Sequence, residues 1–146
     1  MKSLPVKLGV ILIGLVIFGY AEAWGADWET FGVNQDFTIY YDTLNITPIS
    51  KSIIRVSTKV IYTEKGISDV VRILGKKLEN LSYLLNLTEL DCERKMARSL
   101  VQTYYAKSGE VIESLDAIKL KAETRVQWNP IEPEEIFEVL YKAVCK

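Results

Sequence analysis

The sequence predicts an α+β domain: a small antiparallel β-sheet packed against a C-terminal α-helix, with one further helix and one disulfide. Three observations lead there. Segments rich in β-branched and aromatic residues fill the middle of the chain, a strongly periodic apolar stripe ends it, and its only cysteines are Cys92 and Cys145.

The N-terminal segment concerns destination rather than fold. Met1 to Lys7 carries two lysines, Leu8 to Tyr20 is apolar, and Ala21-Glu22-Ala23 offers small residues for cleavage. This is the pattern of a secretory signal peptide. The apolar run is shorter than the roughly 20 residues that span a bilayer, so removal rather than anchoring is expected. Cleavage is expected after residue 23, or as late as residue 26, leaving one domain over residues 27–146. That length supports one core and not two. No cysteine stands at the cleavage site, so a bacterial lipid anchor is not expected. The expected location is the periplasm or the cell surface.

In the mature chain, Phe37 to Asp42 and Ile53 to Thr63 have the composition of strands. Ser68 can cap a helix over Ile67 to Leu81, with Val70, Leu74, Leu78 and Leu81 along one face and Gly75 weakening it. Leu90 to Tyr105 fits two patterns. Met96, Leu100, Val101, Tyr104 and Tyr105 could line a helix, yet the Leu100–Tyr105 run also has strand propensity and leads into Ser108-Gly109 before Val111 and Ile112. A Ser-Gly turn between two such runs favours a hairpin. Strands are therefore predicted for about Tyr83 to Cys92, Lys95 to Tyr105 and Glu110 to Leu115. Pro133 suits a first helical turn, Glu134 and Glu135 suit the positive end of a helix dipole, and Ile136, Val139, Leu140, Ala143 and Val144 repeat at helical spacing.

Two cysteines in an exported chain are most simply a disulfide. A redox pair would lie closer together, and a zinc site would need more ligands than two cysteines supply in a chain with no histidine. Closing so long a loop contributes roughly 4 kcal/mol in the chain-entropy model.

Losing Lys2, Lys7 and Glu22 with the signal leaves 16 basic and 18 acidic side chains, a net charge of −2. That balance gives no reason to expect a nucleic-acid partner. The local balance differs, because Lys51 to Lys77 holds Lys51, Arg55, Lys59, Lys65, Arg72, Lys76 and Lys77 against Glu64 and Asp69. Lys59, Arg72, Lys76 and Lys77 are the candidates for contact with an anionic glycan or an acidic protein surface.

Catalytic signals are thin. Without histidine there is no Ser-His or Cys-His dyad, and no glycine-rich phosphate loop occurs. Asp42, Asp91 and Glu93 could act as acid and base, but carboxylates near strand ends more often cap turns. The tyrosines with Trp28 and Trp128 could form a stacking platform for a sugar, although aromatics in strands usually serve as cross-strand partners. No cofactor, metal or enzymatic activity is expected. Asn45-Ile46-Thr47, Asn80-Leu81-Ser82 and Asn86-Leu87-Thr88 are glycosylation-type triplets, relevant only in a eukaryotic secretory pathway.

The order of features is informative as a whole. Trp28 precedes Tyr40-Tyr41-Asp42; Asp91-Cys92 is followed by Arg94; then come Tyr104-Tyr105, Gly109, Trp128 with Pro130 and Pro133, and finally Val144-Cys145. Over most of the mature chain this resembles the bacterial surface-adhesin E family. The resemblance implies a small antiparallel sheet on a C-terminal helix, with Cys92 joined to Cys145. It also implies exposure at the envelope and, in pathogen members, binding to host matrix proteins. The missing lipid-anchor cysteine departs from a surface-attached member. Two functions follow: an adhesin-like protein that binds macromolecules through an exposed sheet face or edge and the Lys51–Lys77 region, or a periplasmic accessory subunit of an envelope assembly.

Overall fold

The computed structural model describes residues 26–146, so the signal-peptide segment lies outside the described residues. The elements run β1 (Trp28–Val33), β2 (Phe37–Pro48), β3 (Ile53–Tyr62), α1 (Glu64–Leu74), β4 (Leu81–Asp91), β5 (Met96–Ala106), β6 (Val111–Asp116), β7 (Asn129–Pro130) and α2 (Ile136–Val144), with short 3-10 turns at Lys76–Leu78 and Glu123–Arg125. Six strands pair antiparallel in chain order from β1 to β6, and β7 adds a short pairing to β5. The Met96–Ala106 stretch is thus a strand and not a helix, and the hairpin to β6 turns at Gly109, whose φ of 89° is costly for any residue with a Cβ.

Strand alternation sends side chains to two faces. The registers align Ile39 with Val60 and Val60 with Leu84. These residues form one cluster with Tyr41, Val56, Leu90, Phe31, Ile131 and Leu140. Leu140 comes from α2 and is fully buried, and Ile136, Phe137, Tyr141 and Val144 pack around the same cluster. The Thr58 and Thr88 hydroxyls, both buried, meet each other at 3.3 Å, which gives these polar atoms a partner inside the core. Cys92 at the end of β4 is bonded to Cys145 at the end of α2, with Cα atoms 5.5 Å apart, and the Tyr141 hydroxyl donates to the Cys92 carbonyl at 2.9 Å.

The other face has its own buried polar centre. Arg55, Glu89 and Arg98 lie side by side on β3, β4 and β5. Glu89 is 2% exposed and accepts from Arg55 Nε at 2.7 Å and Arg98 Nε at 2.8 Å. Arg98 Nη1 then donates to the carbonyls of Glu123 (2.8 Å) and Val126 (3.2 Å), and Arg55 Nη2 reaches the Glu123 carboxylate at 3.3 Å. Trp128 lies over the Arg98 guanidinium at 4.4 Å. This network ties the β6–β7 connection across one end of the face.

Several elements differ from expectation. The first helix runs Glu64–Leu74 rather than Ile67–Leu81 because Thr63, not Ser68, caps it: its hydroxyl accepts from the Gly66 N–H at 3.1 Å. Gly75, at φ 111°, ends the helix instead of weakening it, and Leu78 and Leu81 are buried in the 3-10 turn and in β4. The last helix starts at Ile136, since Glu134 has a φ of 70° and Pro133–Glu135 form a turn outside it. Val139, expected on the apolar stripe, is 51% exposed. Strand β1 went unpredicted because it buries only Phe31. Strand β2 extends past Asp42 to Pro48 through a register shift between Tyr41 and Ile46, which breaks the alternation a sequence reader relies on.

Three outcomes check this architecture. The mature protein should be two hydrogens lighter by non-reducing mass analysis than after reduction, whereas two free thiols would contradict the staple. Leu140→Ala should cost about 2 to 4 kcal/mol by chemical denaturation; a loss below about half a kcal/mol would place α2 outside the core. Glu89→Ala should cost roughly 3 to 5 kcal/mol, because it strands two arginines without their acceptor. It should also expose Lys119, Lys121 and Arg125 to trypsin under conditions that the parent resists, and equal resistance would mean that the network does not hold the connection.

Candidate ligand-binding groove

On the face opposite α2, the same alternation brings Ser57 and Lys59 of β3, Tyr83, Leu85 and Leu87 of β4, and Val101, Thr103 and Tyr105 of β5 to one side. With Trp28, Asp42 and Asn45 they line an open groove of about 440 Å³. That volume lies within the usual range of ligand sites. Leu85, Leu87 and Val101, all half-buried, form an apolar floor.

Lys59 is the centre of the groove. Its ammonium lies 4.6 Å from the centroid of Tyr83 and 5.7 Å from that of Trp28. Tyr83 is in turn stacked on its cross-strand partner Tyr105, with centroids 4.7 Å apart and planes within 13°. Ring faces stabilise a cation through their quadrupole, and the lysine stem can lie along them while its head stays solvated. No carboxylate among the described residues forms an ion pair with Lys59.

Asp42 shapes the backbone beside Trp28. This carboxylate is 2% exposed, and it accepts from the backbone N–H of Asp27 at 2.8 Å, from that of Leu44 at 3.0 Å, and from the Asn45 side-chain amide. It organises the irregular part of β2 and the start of β1 together, and Trp28 pairs directly with it across the strands. Asp91 has a similar turn-building role. Burial disfavours its ionised form, but the Arg94 guanidinium and the N–H groups of Arg94 and Glu93 outweigh burial and hold the carboxyl below its usual range. Glu93 is exposed beside it. The Asp42 and Asp91 carboxylates thus shape the backbone around them.

The other basic candidates lie elsewhere. Arg72 is on α1 and pairs with Asp69 at 3.0 Å; Lys76 and Lys77 are in the following 3-10 turn, with Lys77 bound to Glu113 of β6 at 2.8 Å. None of the three lines the groove. Trp128 covers Arg94 and Arg98 instead of joining Trp28. The sequence alone does not single out Tyr83, Tyr105 and the aliphatic floor as a group. A signal is nevertheless there, since Tyr83-Leu85-Leu87 and Val101-Thr103-Tyr105 each repeat at the strand period.

A second concavity of about 390 Å³ lies beside α2 and is lined by Phe37, Val60, Tyr62, Ile131 and Phe137 among others. Burial, with a smaller contribution from Tyr104, pushes the Tyr62 phenol up to about 12. That tyrosine stays neutral at any physiological pH, and this concavity is an extension of the core margin. No group of three or more His, Cys, Asp or Glu able to hold a metal occurs among the described residues, and no helix among them is long and apolar enough to cross a membrane.

No curated protein and no solved structure gives a significant match to the chain. A family model described as surface-adhesin protein E does, over residues 28–146, a span that takes in every strand and both helices of the described residues, the disulfide and all the residues of the groove except Ala26. The chain belongs to the surface-adhesin protein E family.

Proposed function

We propose that the protein is exported to the cell envelope and acts there as an adhesin-like protein, binding a macromolecular partner non-covalently through the helix-free face of its sheet. The observation that carries this reading is Lys59, an ammonium without an ion-pair partner among the described residues, set between Trp28 and Tyr83 over an apolar floor. Aromatic anchors such as Trp and Tyr are enriched at interface centres, and a charge beside them that gains a partner on binding adds selectivity. Family membership supports an adhesin-like role, and the secretory pattern of Met1 to Ala23 supports export. Binding is favoured over catalysis because Asp42, the one carboxylate lining the groove, is engaged in holding the backbone.

Two experiments test the proposal. Protease shaving of intact cells should remove the protein; protection until the outer membrane is opened would favour the periplasmic accessory subunit. Retention of the purified protein on immobilised basement-membrane extract should fall about tenfold on Lys59→Gln, on the scale of one charge-assisted contact. It should change less than twofold when Lys76 and Lys77 are both replaced by Gln. The melting temperature should hardly move in either variant, since exposed or half-exposed lysines contribute little to folding. Retention should also weaken as salt rises. Loss through Lys76 and Lys77 instead of Lys59 would move the site to the end of α1.

A further inference from the structure

Building on the reading of this groove as a partner-binding site, we infer that it accepts a carboxylate carried next to an apolar side chain on a protein, and not a sugar. A sugar ring is recognised by stacking together with many hydrogen bonds to its hydroxyls, and a site that leaves such groups unpaired loses affinity. The polar atoms here are largely committed to the protein itself. The Asp42 carboxylate is taken by Asp27, Leu44 and Asn45, and the Thr103 hydroxyl is bonded to Ser114 at 3.0 Å. Besides the Ser57 hydroxyl, what the groove offers is one ammonium, the Trp28 ring and the aliphatic floor of Leu85, Leu87 and Val101.

That set complements one negative charge attached to an apolar body. Bringing a carboxylate to Lys59 supplies a counter-charge that none of the described residues gives it, and an adjacent Leu, Ile or Phe side chain removes the floor from water. The floor is shallow, because its three residues are only half-buried. A free acyl chain lying there would keep one flank in water. A side chain on a protein arrives with surrounding surface that closes the rim and excludes solvent from the contact.

The test is an NMR titration of the mature protein with four probes: the capped dipeptide acetyl-Phe-Glu-amide, its neutral counterpart acetyl-Phe-Gln-amide, glucuronate and octanoate. The Glu dipeptide should shift the Trp28 indole and the Leu85, Leu87 and Val101 methyl resonances. It should bind about tenfold more tightly than the Gln dipeptide and more tightly than glucuronate or octanoate. Lys59→Gln, with a spectrum that stays dispersed, should remove the Glu-over-Gln preference. The comparison of the two dipeptides on the unmodified protein tests the charge requirement without any variant. Tighter binding of glucuronate would assign the groove to acidic glycans, and tighter binding of octanoate to lipids. Equal binding of the two dipeptides, or no shift at the groove with any probe, would also overturn the inference. If Lys59→Gln still lowers retention on matrix extract in those cases, the binding-face reading stands and only the ligand class falls.

Discussion

The register of β3 between β2 and β4 decides what every other part of the molecule does. Strand side chains alternate with a period of two, so one alignment sends Val56, Thr58 and Val60 to the core and Ser57, Lys59 and Arg55 to the opposite face. A slip of one residue would exchange the two sets, bury Lys59 beneath α2 and expose the valines. The domain has a single C-terminal helix of nine residues to cover its sheet. Leu140 and the Cys92–Cys145 bond commit that helix to the valine side. The lysine side is consequently left open to solvent.

That open face is not left without support. Buried charge is expensive unless it is paired or well hydrogen-bonded; on this face Glu89 and Asp91 are paired with arginines, and Asp42 is met by three neutral donors. Glu89 sits between two arginines that reach onward to the β6–β7 connection, closing one end of the face. Asp42, with backbone and amide donors around it, fixes the bend of β2 and the start of β1, and through them the Trp28 wall at the other end. The groove is what remains between these two polar anchors. A site held on strands by such bonds is organised before a partner arrives, which reduces the ordering cost of binding.

Much of this was legible in the chain. The composition of Ile53 to Thr63, the Ser-Gly turn before Val111, the stripe of the last helix and the pair of cysteines led to the strands, the hairpin, the helix and the bond that the structure contains. Failures cluster where local pattern and tertiary contact disagree. Trp28–Val33 buries one residue and so carries no alternation, and the insertion after Tyr41 hides the second half of β2. Ser68 looked like a helix cap, yet Thr63 had the better position because its hydroxyl reaches the Gly66 N–H as well as the carbonyls of Gln35 and Asp36. The basic segment was visible as a stretch of sequence, but sequence proximity does not place charges on one surface. Arg55 serves Glu89, Arg72 and Lys77 have carboxylate partners, and of Lys59, Arg72, Lys76 and Lys77 only Lys59 lies in the groove.

The measurement that bears most directly on the helix-free face as the binding surface is hydroxyl-radical footprinting of the mature protein, free and bound to basement-membrane extract. Aromatic residues report well because their rings react quickly, and the two faces carry different ones. The expected result is protection of Trp28, Tyr83 and Tyr105, with Tyr62, Phe137 and the exposed Val139 on α2 unchanged. Protection confined to Tyr62, Phe137 and Val139, with the groove rings as reactive as in the free protein, would place the partner on the helix side and contradict the reading.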